Sequence, residues 1–496
     1  MRGTSFPVTR SPELPVTSQT PEAATDNYKW KALITMAMGA LMATMDVSIT
    51  NIAFPTLTRI FAVDMATVIW VTVGYVLVST SSMLVLGKIG DAAGRKRIYS
   101  TGMLIFTLGM AACSLSRSMG ELIFYRCIQG LGAAMLVSCG AAIVTEAFPL
   151  EETGRGLGLL GISVSLGFII GPVLGGFLLD WLDWRAIFYV RTPFSFLTFI
   201  MGLILLKKDR TAFHGFRLDL AGALTSSLGI FCIVYGVSQA REAGFLSPGV
   251  LLWVMSGIIV LTGFAFQERR AKDPLLDLSL FRDRTFLVAS LSLFLSFISA
   301  PPFILVMPFY LMQGIAMTPS QAGFLLAVNS VATIVCGPVS GALSDKFGAE
   351  RFAAAGAAAT ALAFVLMMFF DLDTGIAAII PVLILLGVGI GMFQTPNSSM
   401  IMGSVPRDRL GTASALMGTL RQVGISLGMA LAGALYTSRL MHHQAESIVD
   451  GAERSEAARL SIPAAFHDTL LLSIVLSTMV VLLSTPLYRR GSKGSS

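Results

Sequence analysis

The chain has 496 residues, 54% of them apolar and only 13% charged, with a mean hydropathy of +0.75 and a formal net charge of +6. A soluble domain carries about 25% charge, so this composition excludes a water-soluble enzyme or regulator. The basic residues gather in short segments between apolar stretches, the pattern of membrane-helix flanks, and no nucleic-acid role is assigned to them.

Residues 1–31 are rich in Ser, Thr and Pro and read as a disordered tail. Fourteen apolar stretches follow, at 32–54, 68–87, 98–116, 121–144, 157–179, 186–206, 219–238, 250–267, 287–312, 321–342, 353–370, 376–398, 413–437 and 466–488. Each is long enough to cross a hydrocarbon core of ~30 Å. Backbone groups in lipid find partners only inside a helix or a closed barrel, so an all-α integral membrane fold with 14 transmembrane helices is expected. The first stretch is too long for a signal-peptide core and has no cleavage pattern, so it is expected to remain as span 1.

Span 1 carries Asp46, the only acid well inside any span. An ionised carboxylate in hydrocarbon is costly, so such a residue is functional by default. It lies ~12 Å from the outer end of span 1 and Arg126 lies ~8 Å from the outer end of span 4, at 1.5 Å rise per residue. Arg191, near the start of span 6, sits ~8 Å deep by the same measure. One acid is thus expected to share a layer with two arginines, leaving a net positive site. Burial disfavours its charge and a neighbouring guanidinium favours it, a balance suited to taking up and releasing a proton.

Between spans 2 and 3 the chain reads Gly87-Lys88-Ile89-Gly90-Asp91-Ala92-Ala93-Gly94-Arg95-Lys96-Arg97. Its GxxxDxxGxxR skeleton returns half a chain later at Gly341, Asp345, Gly348 and Arg351. A second echo relates Gly167, Gly171 and Gly176 to Gly424, Gly428 and Gly433. Spans 1–6 (32–206) and 9–14 (287–488) are therefore read as two six-helix bundles related by an axis along the membrane normal, a transporter architecture. Residues 207–267 supply a basic linker and two inserted helices, 268–286 a cytoplasmic loop and 489–496 a cytoplasmic tail. Most Lys and Arg fall on one side if both termini are cytoplasmic, which sets the orientation. The longest outer loop, about 438–465, mixes charges and is expected to be partly helical.

Several stretches together resemble the major facilitator superfamily, and within it the fourteen-span drug:proton antiporter family. These are the Gly87–Arg97 turn, Asp46 with Asn51, Ala53 and Pro55, Arg126 with Gln129, Gly130 and Gly132, and Gly171-Pro172 with Gly175-Gly176. Trp70 to Tyr75, Trp184-Arg185 and Arg421 to Gly424 also fit. The likeness covers nearly the whole chain beyond the tail. It implies a proton-coupled secondary transporter exporting drugs or other amphipathic molecules. Asp46 and Arg126 would couple protons, and Gly87, Asp91, Gly94 and Arg95 would form a latch that holds the outward-open state. Gly167, Gly171, Pro172, Gly175 and Gly176 would form the interface at which the bundles rock. Asn51, Tyr75, Gln129, Arg191, Gln394, Asn397 and Arg421 are the substrate-cavity candidates. Arg191-Thr192-Pro193 departs from the family, which commonly has Asn in place of Arg191. Spans 9–13 also lack the further acids that some cation exporters carry, which favours neutral, amphipathic or anionic substrates over dications.

The five cysteines fall in spans without a CxxC pair and read as packing residues. His442 and His443, adjacent in the outer loop, read as a solvated pair. No metal, cofactor or nucleotide site is expected, since there is no ligand cluster and no GxxxxGK[ST]. The expected partners are a small-molecule substrate, protons and membrane lipids, with no nucleic acid. The expected state is a monomer in a bacterial cytoplasmic (inner) membrane. A transporter of a metabolite or lipid on the same fold is the main alternative. A polytopic membrane enzyme or a channel would need catalytic clusters or polar rings that the sequence lacks.

Overall fold

The structure, a computed structural model, describes residues 26–149, 152–207, 220–244, 246–269, 278–406, 410–449 and 453–491. These residues form helices and no strand. The first half contains α1 (Asp26–Ile52), α2 (Phe54–Phe61), α3 (Met65–Ala93), α4 (Arg95–Leu115), α5 (Met119–Ala147), α6 (Thr153–Trp181), α7 (Ala186–Tyr189) and α8 (Thr192–Leu205). Then come α9 (Leu220–Ala243) and α10 (Pro248–Glu268). The second half contains α11 (Arg284–Phe309), α12 (Pro319–Phe347), α13 (Ala349–Met367), α14 (Ile376–Gly403), α15 (Leu410–Val449) and α16 (Arg454–Gly491).

Among the described residues, 12 helices are long and apolar enough to cross a membrane. Two segments of α3, Thr67–Met83 and Val85–Asp91, meet at 45° and would together make a thirteenth. The apolar part of α9, Leu224–Ala240, is shorter than the 18-residue threshold.

The helix ends follow local chemistry. Asp64 accepts the Thr67 amide at 2.9 Å at the start of α3, and Thr318 and Gln321 form a reciprocal capping box on α12. The repeated turns owe their glycines to backbone geometry. Gly94 (φ 108°) and Gly348 (φ 96°) lie in the left-handed region, where a side chain would be strained. Each reverses the chain between a helix pair, α3/α4 and α12/α13.

The boundaries correct the sequence reading in one place and sharpen it in two. Residues 26–31, assigned to the tail, are the first turns of α1. There Lys29 lies 2.9 Å from Glu152, and Trp30 packs edge-on against Phe148. The outer loop at 438–465 is largely helix, because α15 runs on to Val449 and α16 begins at Arg454. Span 6 breaks at Val190–Arg191, ahead of Pro193, into α7 and α8. Residues 1–25, 208–219 of the basic linker, 270–277 and 492–496 lie outside the described residues.

The packing repeats between the halves. In the first, α6 packs on α1 of its own half and on α12 of the other. In the second, α15 packs on α11 of its own half and on α3 of the other. Close approach is carried by glycine in both copies: Gly167 and Gly171 sit against α1, Gly424 and Gly428 against α11, Gly176 against Pro319 of α12, and Gly433 against Ile69 of α3.

Contacts across these seams concentrate away from the repeated turns. On that far side Asp180 accepts the Ser320 amide at 2.9 Å, and the Phe54 ring lies 6.3 Å from Phe309, which in turn lies 5.7 Å from Tyr436. Nearer mid-span, Ser330 donates to the Phe168 carbonyl at 3.3 Å, and Thr80 bonds Ser426 at 2.5 Å. The same helices grow more accessible toward the turn side: residues 428–434 of α15 are almost all buried, whereas 417–423 are exposed or half-buried. The halves are therefore apposed on the far side and splayed on the turn side.

Candidate functional site

Three charged side chains meet inside the first half. Arg126 of α5 pairs with Asp46 Oδ2 of α1. Arg191, at the break between α7 and α8, places Nη2 2.9 Å from Asp46 Oδ1. Gln129 donates to the same Oδ1 at 3.0 Å and accepts from Arg126 at 2.8 Å. Asp46 and Arg126 are 0% exposed, Arg191 1% and Gln129 0%. One carboxylate thus faces two guanidiniums in a dry environment, a formal net charge of +1.

Local structure explains why these residues meet. Arg126 and Gln129 stand three apart on α5, and helical side chains three apart share a face. Arg126 is further fixed by donating Nε to the Val71 carbonyl at 3.1 Å and lying 4.3 Å from the Tyr75 ring centroid, both on α3. Arg191 has fewer restraints. Its Nε reaches the Ile187 carbonyl at 2.5 Å across the helix break, and Nη1 and Nη2 form no aligned hydrogen bond, although Nη2 is within ion-pair distance of Asp46. Charge-assisted pairing offsets part of the large desolvation cost of three buried ions. Arg191 Nη1 and Arg126 Nη2, which have no hydrogen-bond partner among the described residues, mark the site as under-compensated for positive charge. Such an arrangement holds the carboxylate where a proton added to it would release both arginines.

The remaining candidates separate. Asn51 is buried and accepts from Thr72 at 3.2 Å; Tyr75 is buried beneath Arg126. These two and Gln129 are all buried where α1, α3 and α5 pack around Asp46, and Asn51 Nδ2 has no hydrogen-bond partner among the described residues. Asn397 is buried and donates to the Ala289 carbonyl at 3.0 Å, while Gln394 is half-buried. Arg421 is exposed, on the turn-side part of α15 where the halves splay.

The glycines of α6, the fifth apolar stretch, also divide. Gly167, Gly171 and Gly175 recur every fourth residue and press on Thr44, Ser48 and Ile49 of α1, with Ser48 donating to the Gly167 carbonyl at 3.0 Å. Pro172 and Gly176, one position further round the helix, meet Gly323 and Pro319 of α12. Only this second pair lies between the halves, so the expectation that all five form that interface is corrected.

The residues expected to form a latch make their contacts within the first half. Arg95 Nη2 lies 2.8 Å from Asp91 and Nη1 2.5 Å from Glu146 of α5. Gly87 packs near Ser138 of α5. Sequence reasoning missed Glu146, whose signal was its place at the turn-side end of span 4. It also missed Asp180, four residues after Gly176 on the interface face. The five cysteines are all free. His443 is bound between Glu446 (3.1 Å) and Asp468 (3.0 Å) rather than solvated, which joins α15 to α16. Among the described residues no His, Cys, Asp and Glu group has a metal-holding arrangement.

Comparison with known proteins follows from this geometry. Residues 36–429 match the family model of the Major Facilitator Superfamily. The chain is 32% identical to the riboflavin transporter RibZ of Clostridioides difficile over 84% of this chain and 90% of that protein. It is 31% identical to the multidrug resistance protein Stp of Mycobacterium tuberculosis over 87% and 81%. It is 28% identical to the tetracenomycin C resistance and export protein of Streptomyces glaucescens over 85% and 79%. In three dimensions it is similar to a bacterial homolog of the human lysosomal transporter Spinster in an inward-facing, unoccupied conformation, with TM-score 0.67 and 15% identity over 93% of this chain and 98% of the other.

Proposed function

The chain belongs to the major facilitator superfamily, and on that premise we propose that it is a proton-coupled secondary transporter exporting drugs or other amphipathic small molecules by alternating access. It is a multi-pass membrane transporter and not an enzyme. The observation that carries the proposal is the buried Asp46–Arg126–Arg191 cluster, where a proton on Asp46 would change the charge of the membrane interior of the first half. Relatives named as a multidrug resistance protein and as a tetracenomycin C exporter support export.

In the proposed cycle a proton reaches Asp46 from outside, neutralises it and dissolves both ion pairs. Substrate binding and protonation exclude each other, directly or through Arg126. Each returning proton supplies ~1.4 kcal/mol per pH unit and ~2.3 kcal/mol per 100 mV. That energy drives substrate outward as the halves rock about a midplane site. The positive cluster, with Arg421 exposed between the splayed halves, favours neutral or anionic amphiphiles over dications.

The proposed topology has fourteen spans, with α9 and α10 inserted between two six-helix bundles. Both termini are cytoplasmic in a bacterial inner membrane, the protein is a monomer, and the turn side is the cytoplasmic side. The structure then corresponds to an inward-open arrangement.

The test is efflux from a pump-deficient bacterial host with and without a protonophore, comparing a cationic, a neutral and an anionic dye. Protonophore-sensitive efflux that survives Asp46→Asn would remove Asp46 from coupling. A second reading, transport of a metabolite, is favoured by the likeness to RibZ. Riboflavin uptake or efflux in the same host separates the two.

A further inference from the structure

The two seams between the halves are alike in their glycines but not in what covers them. The α3/α15 seam has a third helix laid along it. On α9, Ser226, Ile230, Val234 and Ser238 recur every fourth residue and are 1%, 7%, 1% and 8% exposed, so one face is buried from Ser226 to Ser238. That face reaches both halves: α9 packs on α3 and on α15, with Val234 and Ile230 in one apolar cluster with Leu77 and Ala430. Trp70 of α3 lies 6.2 Å from Tyr235 of α9, which lies 5.1 Å edge-on from Trp253 of α10. Helix α10 backs α9 through close glycine contacts, Gly229 against Leu261 and Gly257 against Ile233.

Among the described residues no third helix is laid along the α6/α12 seam in this way. Residues 163–180 of α6 include six buried ones, against ten in the counterpart stretch 420–437 of α15. Toward the far side the two helices touch at Gly176–Pro319, Pro172–Gly323 and Phe168–Ser330. Toward the turn side they part. Gly161 lies about three turns before Pro172 on the same face, and a side chain added at Gly161 or Gly158 would meet nothing within 4 Å. The matching stretch of α12 exposes Val331 and Pro338. The gap therefore opens sideways, bordered by Ile162 and Leu166, which are 47% and 40% exposed.

We propose that α9 and α10 seal the α3/α15 seam against the bilayer and leave the α6/α12 seam as the single lateral portal, through which bilayer-dissolved amphiphiles enter between the halves. The proposal rests on the transporter reading for its substrate, but not for its geometry. A neutral or weakly anionic amphiphile partitions into the membrane, so a route from the leaflet meets it at high local concentration. Sealing one seam also gives α9 contact with both halves where they move against each other.

The experiment compares two counterpart positions, Gly161 on α6 and Gly418 on α15; a side chain at either meets nothing within 4 Å. Gly161→Cys and Gly418→Cys, each in a chain whose five cysteines are replaced by Ser, carry bimane in liposomes of brominated phospholipid. The proposal expects at least fivefold stronger quenching at 161 than at 418; equal or reversed quenching overturns it. In the otherwise native chain, Gly161→Phe places a ring on a position whose Cβ would meet nothing within 4 Å, and is expected to slow efflux of membrane-loaded N-phenyl-1-naphthylamine about tenfold at unchanged expression. An unchanged rate overturns the portal. If the unaltered protein moves no dye, the transport reading fails, while the quenching still decides the geometry.

Discussion

Asp46 and Arg191 lie 2.9 Å apart, and the rest of the Arg191 guanidinium is held by the Ile187 carbonyl one turn before it and by the Phe188 ring, 6.0 Å away. Arg126, by contrast, holds Asp46, Gln129, the Val71 carbonyl and the Tyr75 ring together. The two arginines therefore contribute unequally to stability. Asp46→Asn leaves two buried guanidiniums uncompensated and is expected to destabilise by about 3–5 kcal/mol. Arg126→Gln should cost a similar amount, because four contacts are lost at once. Arg191→Asn keeps one intact pair and should stay within about 1.5 kcal/mol of the unaltered protein. Asp46→Asn/Arg191→Asn should recover part of the loss of Asp46→Asn. Thermal unfolding in detergent reads the series; an Arg191→Asn loss as large as that of Arg126→Gln would refute the ranking.

Substrate charge follows from the same excess of positive charge. Removing Arg191 makes the cluster formally neutral, so Arg191→Asn should weaken transport of an anionic dye relative to a neutral one by roughly tenfold, equivalent to about 1.4 kcal/mol. Dye efflux from everted vesicles at matched expression measures the ratio. A ratio unmoved by the substitution would mean that the cluster does not sense substrate charge.

How far the site was legible in the sequence depended on spacing and depth. Helical rise alone put Asp46, Arg126 and Arg191 in one layer, and they meet there. Gln129 was legible as an i+3 neighbour of Arg126, yet its role was misjudged: it spends its amide on Asp46 and Arg126 instead of facing a cavity. The glycine repeat revealed the duplicated packing of α6 and α15. It did not reveal which glycine faces which half, since that needs the rotation of each helix about its axis. Glu146 and Asp180 were invisible as partners because their contacts join residues remote in sequence, through helix ends whose position only the packed bundle sets.

That rotation makes the glycines separable by experiment. A side chain at Gly176 would come within 2.8 Å of the Pro319 carbonyl carbon and 2.9 Å of Ser320 Cα, across the seam between halves. Gly176→Ala should therefore push α12 away and weaken the far-side closure while leaving the first half folded. A side chain at Gly167 would meet Met45 N at 2.9 Å inside the first half, so Gly167→Ala should instead lower thermal stability by about 1–3 kcal/mol, as overpacking does. Spin-label distances across the far side, read beside melting temperatures, distinguish them. A Gly176→Ala protein that melts early with unchanged distances would place that contact in the fold and not in the motion.

The turn-side latch makes the last prediction. With the halves splayed, Arg95 is occupied by Asp91 and Glu146, both of its own half. The Glu146 pair exists in this arrangement and must be exchanged for others if the loop engages the second half. Both carboxylates are substantially exposed, so each pair contributes no more than about 1 kcal/mol, enough to move a two-state ratio about fivefold. Glu146→Gln should free Arg95 and shift the protein toward turn-side closure. If Asp91 is the carboxylate that engages the second half on closure, Asp91→Asn should hold the splayed state and lower transport without lowering membrane insertion. Spin labels at the exposed positions Thr145 and Lys346 should report a shorter mean distance for Glu146→Gln and no shortening for Asp91→Asn. Unchanged distances in both, with normal transport kinetics in vesicles, would reduce the loop to a topological signal.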